Sequence, residues 1–231
     1  YRCDEFIKDH VKKHILFSGD SQTYGTGLLK EETWAYRLYQ KLNQENELSG
    51  YFNIAETGIG IPAIIYNIFL YCKKYGNPDV IFINLTTQAR AVRYDKRDGK
   101  YYHTIASEEN LEDFILSNYQ HYFMLEQYCL SNNIKLYSFS WQTHAEVVYL
   151  DTILNGKPVN SSVTNDHFSN IGLTSFYGIN PVGLKKKIRK NYNVEDKYFI
   201  TARDGQHLGT GFHDFWHNFI YEIYLNDNTR S

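Results

Sequence analysis

Three short apolar runs, at Ile15-Leu16-Phe17, Val80 to Leu85 and Ile134 to Phe139, are separated by longer segments in which apolar residues recur every three or four positions. Runs of that length, bounded by Gly, Ser, Asn or Pro, read as strands at His14 to Ser18, Asp79 to Leu85 and Ile134 to Phe139. Asp79 to Leu85 is apolar at nearly every position, as a strand covered on both faces requires. Tyr51 to Ala55 is a fourth, shorter strand candidate. The helical segments have a period near 3.6. Trp34, Leu38 and Leu42 mark a helix from Glu31 to Asn43, with two acidic residues in its first turn. Ile61, Ile64, Ile65, Ile68 and Cys72 mark a helix opened by Pro62 and stopped by Gly76-Asn77-Pro78. A long helix is expected from Ser107, as its N-cap, to about Leu130, another from Thr143 to Leu154, and a last one carrying Phe212, Trp216, Ile220 and Ile223.

Between these elements the pattern lapses twice. Arg97-Asp98-Gly99-Lys100 reads as a hairpin turn between Val92-Arg93-Tyr94 and Tyr101-Tyr102-His103. Residues 155–200 are polar and poorly periodic, as a lid over a cleft is, with a strand candidate at Tyr198 to Thr201. Residues 1–13 form a basic arm or lead-in helix. Strands alternating with helices, without a linker or repeat, predict one domain over 1–231. Its expected architecture is a three-layer α/β/α sandwich around a central parallel sheet.

Composition narrows the class of partner. The chain has 231 residues, 24 Lys and Arg against 26 Asp and Glu, and a net charge of -2, a balance that asks for neither nucleic acid nor an acidic membrane surface. Cys3, Cys72 and Cys129 are odd in number and scattered, which argues against a disulfide scaffold or a zinc finger. No stretch reaches membrane-spanning length and no signal peptide opens the chain, so a cytoplasmic location is the default expectation. The opening at Tyr1 rather than Met leaves removal of an upstream segment open. The 21 Tyr and 14 Phe serve a core or a binding groove equally well.

The candidate chemistry lies at the two ends of the chain. Strand one runs into Ser18-Gly19-Asp20-Ser21, and the carboxyl end of a strand in an open α/β sheet is where ligands bind. Ser21 is thus a candidate nucleophile, and a serine hydroxyl needs a base and an acid that orients the base. Asp204-Gly205-Gln206-His207 supplies both within three residues, ahead of the last helix. The chain order Ser, Asp, His matches one of the known convergent orders of such triads. Gly58, just after the second strand, is placed to turn a bare N–H towards a developing oxyanion.

FSGDS after the first strand, a glycine after the second and DGQH before the last helix resemble blocks I, II and V of the SGNH, or GDSL, hydrolases. That resemblance implies a flavodoxin-like fold and a serine esterase without a cofactor. Ser21 would be the nucleophile, His207 the base and Asp204 its orienter, with the N–H groups of Ser21 and Gly58 as oxyanion donors. The family's Gly-x-Asn-Asp block is absent; Thr86-Thr87-Gln88-Ala89 stands in its place. Counted from Asp79, Gln88 takes the Asn position and offers the same NH₂ donor on a longer arm, and a one-residue slip would put Thr87 there instead.

The expected activity is cleavage of a carboxylic ester through an acyl-enzyme on Ser21, with an O-acetyl ester of a carbohydrate as the favoured substrate class. The alternative is a catalytically impaired glycan-binding module built on the same cleft. The sequence sets neither the acyl group nor the oligomeric state. A rival pattern, His213-Asp214-Phe215-Trp216-His217, imitates the metalloprotease H-E-x-x-H. Asp replaces the catalytic Glu and no third ligand is placed, so these histidines are expected on the solvent side of the helix and no metal is expected. Arg90 and Arg93 are expected on solvated surface, within reach of an anionic substrate at the end of the third strand.

Overall fold

The computed structural model describes residues 12–45, 48–86, 90–95, 97, 100–105, 111–140, 176–178 and 201–228. Five strands form one parallel sheet in the order β2-β1-β3-β6-β7. They are β1 (Ile15–Gly19), β2 (Phe52–Asn53), β3 (Val80–Leu85), β6 (Lys135–Ser140) and β7 (Phe176–Gly178). A separate antiparallel hairpin, β4 (Arg90–Asp95) and β5 (Lys100–Ile105), pairs Tyr94 with Tyr101 as the turn signal predicts. The helices are α1 (Ser21–Tyr24), α2 (Trp34–Glu45), α3 (Ile61–Tyr75), α4 (Leu111–Ser131) and α5 (Thr210–Asn228).

The apolar runs are continuous because both faces of the sheet are covered. Leu16, Ile81 and Ile83 pack with Ile64, Ile68 and Leu125 of α3 and α4. Ile15, Phe17 and Phe82 point the other way, onto Trp34 and Leu38 of α2 and Trp216 and Ile220 of α5. This is the expected three-layer α/β/α arrangement. Much of the aromatic excess is spent here. Phe17, Phe82 and Tyr137 are in register across β1, β3 and β6 and stack at 5.5 and 5.1 Å between centroids. Such pairs contribute about 0.5–1.5 kcal/mol each beyond their burial.

The helix expected from Glu31 starts later. Thr33 is extended and its Oγ1 accepts the N–H of Tyr36 at 3.3 Å, so Thr33 caps α2, and Lys30–Glu32 form a 3₁₀ turn ahead of it. The helix expected over 143–154, most of 155–200, the Ser107 cap and nearly all of the N-terminal arm fall outside the described residues. No helix among the described residues is long and apolar enough to cross a membrane.

The sheet order positions the site. The chain steps from β1 outward to β2, then back past β1 to β3. Strand order therefore reverses between β1 and β3, and the crevice at their carboxyl ends is where such a sheet binds ligands. Ser21 follows β1 and Thr86 follows β3.

Candidate active site

Ser21 opens α1, immediately beyond β1, and is only 4% exposed. Asp20 caps that helix, its Oδ1 accepting the N–H of Gln22 at 3.0 Å. Asn53 braces the turn from β2. Its Nδ2 donates to the Thr23 carbonyl at 3.0 Å, and its Oδ1 accepts from the Ala55 N–H at 3.0 Å. Gly19 makes the turn possible. Its φ is +151°, and a Cβ there would lie 2.4 Å from Thr23 Oγ1 and 2.6 Å from the Asn84 carbonyl oxygen.

At the other end of the chain, an isolated pairing of Thr201 with Leu208 closes a tight loop. Inside it the Asp204 carboxylate accepts the N–H groups of Gln206 at 3.0 Å and His207 at 3.1 Å. Its other oxygen lies 2.5 Å from His207 Nδ1. These donors, the backbone N–H groups first, hold the Asp204 carboxyl down at about 2. An ionised Asp204 makes Nδ1 the donor, which leaves the Nε2 lone pair free to accept a proton.

The loop docks on the segment that carries Ser21. The Arg203 N–H donates to the Gly27 carbonyl at 3.2 Å, and the Leu208 N–H reaches Gln22 Oε1 at 3.4 Å. Arg203 also grips Glu32 with both guanidinium nitrogens, at 2.5 and 2.7 Å, and Glu32 is held at about 2 chiefly by that contact. Two residues 186 positions apart are thus brought into contact, and His207 comes within electrostatic reach of the Asp20 carboxylate next to Ser21. Of the two hydrogen bonds a working triad uses, the structure contains Asp204 with His207. Among the described residues none joins His207 to Ser21. That contact commonly tightens only when substrate is bound.

Gly58 sits in the turn after β2 at φ +79°, exposed, with open space where a side chain would point. Gln88 and Thr87, the two candidates for a third donor, lie outside the described residues. A cleft of about 330 Å³ is lined by Tyr24, the last residue of α1, and by Ala55, Glu56 and Thr57 after β2.

Two expectations are corrected. His213 is not on the solvent side of α5: it is 1% exposed, and its Nδ1 accepts the backbone N–H of Trp34 at 2.9 Å. Burial pushes its imidazole down to about 3, so it is a neutral acceptor that satisfies the start of α2. No group of three metal-ligating side chains occurs among the described residues. Arg90 is only partly solvated, its side chain 30% exposed. Its Nη1 is buried, 3.7 Å from Asp20 Oδ2. Local sequence carries no signal for either burial, because each partner is supplied by a distant segment.

No family model and no curated protein matches the sequence. Among solved structures, the chain is similar to the psychrotrophic esterase EstA from Pseudoalteromonas sp., with a TM-score of 0.55 at 14% identity over 92% of this chain and 98% of that one. It is similar to a protein of the G-D-S-L family from Desulfitobacterium hafniense, described as lipolytic, with a TM-score of 0.54 at 10% identity over 90% and 98%. It is also similar to an acetyl xylan esterase, AlAXEase, with a TM-score of 0.52 at 15% identity over 90% and 98%. At such identities the likeness is one of architecture. The strand order, the GDS turn after β1 and the similarity to these proteins together give the chain the α/β/α fold of the SGNH/GDSL hydrolases.

Proposed function

We propose that the protein is a serine ester hydrolase that works through Ser21, His207 and Asp204. The observation that carries this is the oriented pair: a carboxylate pinned by two backbone N–H groups, bonded to His207 Nδ1, in a loop docked on the Ser21 turn. In the proposed reaction Ser21 Oγ attacks the ester carbonyl and its proton passes to His207 Nε2. The imidazolium returns that proton to the departing alkoxide, which leaves as an alcohol. Water, deprotonated by the same nitrogen, then attacks the acyl-enzyme and releases the acid. The N–H groups of Ser21 and Gly58 are the proposed oxyanion donors, with Gln88 as the third. No step requires a cofactor.

The favoured substrate is an O-acetyl ester of a carbohydrate. The cleft at the end of α1, the helix that Ser21 opens, offers Tyr24 and polar groups from Glu56 and Thr57, a surface suited to a hydroxyl-rich leaving group. One similar fold is an acetyl xylan esterase. Hydrolysis of acetylated sugars faster than of long-chain acyl esters supports this class, and the reverse preference contradicts it. Glu56, exposed at the rim, disfavours anionic leaving groups. Glu56→Lys is therefore expected to raise kcat/KM for an acetylated uronic acid, relative to a neutral acetylated sugar, by about three- to tenfold at low salt. An unchanged ratio would remove Glu56 from the leaving-group site.

A glycan-binding module using the same cleft is the second reading. It is favoured by the absence, among the described residues, of a hydrogen bond from His207 to Ser21. It predicts an unreactive Ser21.

A further inference from the structure

We propose that Arg90 is a positioning residue for the nucleophile: its guanidinium neutralises and locks the buried Asp20 carboxylate that caps α1, and so sets the turn that carries Ser21. The catalytic half of this inference rests on the hydrolase reading; the ion pair itself does not.

Asp20 is 0% exposed. Its Oδ1 is committed to the Gln22 N–H, while its Oδ2 is buried and, among the described residues, makes no hydrogen bond of good geometry, the Thr86 hydroxyl acting on the carboxyl from nearby. Facing that oxygen at 3.7 Å is Arg90 Nη1, equally buried and equally without a hydrogen-bond partner. Among the neutral groups acting on the carboxyl is the hydroxyl of Thr86, the residue that follows β3. Among the described residues the cations acting on Asp20 are Arg90, from the start of β4, and His207, from the loop before α5. Asp204 is engaged by the Gln206 and His207 N–H groups and by His207 Nδ1.

A buried carboxylate is costly unless paired, and removing one partner leaves the other charge stranded. Burial already pushes the Asp20 carboxyl above its ordinary value, opposed by the Gln22 N–H, the Thr86 hydroxyl and the two cations. Without Arg90 the carboxyl takes up a proton more readily. A neutral acid is a weaker cap than a carboxylate, because hydrogen bonds to ionised acceptors are about twice as strong. The first turn of α1, and with it the Ser21 hydroxyl and N–H, then loses its fixed orientation. The same contact fastens the β4–β5 hairpin to the site, since β4 begins at Arg90.

The test compares the intact chain with Arg90→Met and Arg90→Lys in two readouts. The first is the rate of labelling by a fluorophosphonate as a function of pH. Arg90→Met is expected to label about tenfold more slowly at neutral pH, with its acidic limb moved up by about one pH unit. Arg90→Lys is expected to recover most of the rate and the original limb. Wild-type behaviour in Arg90→Met, or equal loss in the lysine variant, would overturn the proposal. The second readout is stability against denaturant, which needs no activity. A group whose folded value lies above its unfolded one loses stability as pH rises between the two. Deleting Arg90 extends that window upward, so the penalty of Arg90→Met should grow as pH rises and level off once Asp20 is ionised in the variant. A penalty independent of pH would overturn the ion pair. If the intact chain takes no label, the hydrolase reading fails and the stability arm still decides the pair.

Discussion

Replacing His207 with alanine is expected to lower kcat on a short-acyl ester by about 10⁴- to 10⁶-fold while leaving the fold intact. The imidazole is the sole acceptor aligned by Asp204, and its loop is tied to the rest of the protein by contacts that do not involve the ring. These are the Arg203 N–H on Gly27, Arg203 on Glu32 and the Leu208 N–H on Gln22. Asp204→Asn is the finer variant. An amide facing Nδ1 from 2.5 Å presents a donor to a donor, so the ring must adopt the other tautomer and put its proton on Nε2. A loss of about 10⁴ with a preserved melting temperature is the expected result. Either variant retaining kcat within tenfold of the intact chain would exclude the dyad.

The pH dependence follows from the same contacts. Asp204 is held at about 2, below its ordinary 3.8, so it stays ionised at any working pH. Titration of Asp204 therefore does not set the acidic limb of kcat/KM. For stability the sign is that of a depressed carboxylate: its contribution is present above about pH 4 and fades as pH falls towards 2.

Gly19→Ala is expected to be the most damaging single change to the fold, lowering the melting temperature on the order of 10 °C and abolishing activity in what remains folded. Its φ of +151° disfavours any side chain, and the added Cβ would overlap the Asn84 carbonyl oxygen at 2.6 Å as well as Thr23 Oγ1 at 2.4 Å. The threonine can rotate. The carbonyl cannot, because Asn84 is the register partner of Gly19 in the β1–β3 ladder. Overpacking and backbone strain cost about 1–3 kcal/mol each. Relief would have to come from moving α1 away from the sheet, which displaces Ser21. Gly58→Ala is the control: φ is +79° but the space is open, so only about 1–2 kcal/mol of backbone strain applies. Melting curves of the two variants side by side check the difference, and equal losses would mean that contact with β3 is not what Gly19 provides.

The parts of this architecture legible in the sequence are those written in local pattern. β3 is apolar throughout because helices cover both faces, and α3 carries its stripe, its proline and its stop within one segment. Ser21 and the Asp204–His207 pair were legible because a strand end and a short spacing are local features. What pattern could not reveal was set by distant partners. The four-residue α1 is too short to have a period, and β7 is three residues within a long polar stretch. His213 reads as a surface histidine until the Trp34 N–H, 179 positions away, takes its Nδ1. Arg90 reads as a surface cation until the start of β4 sets its Nη1 3.7 Å from Asp20 Oδ2.

The measurement that bears most directly on the central claim is covalent labelling by a fluorophosphonate, applied to the intact chain and to Ser21→Ala. An activated serine predicts stoichiometric labelling of the first, mapped to Ser21, and none of the second. Failure of folded, intact protein to take the label would contradict the hydrolase and favour the glycan-binding module, and equal labelling of both would place the reactive group elsewhere.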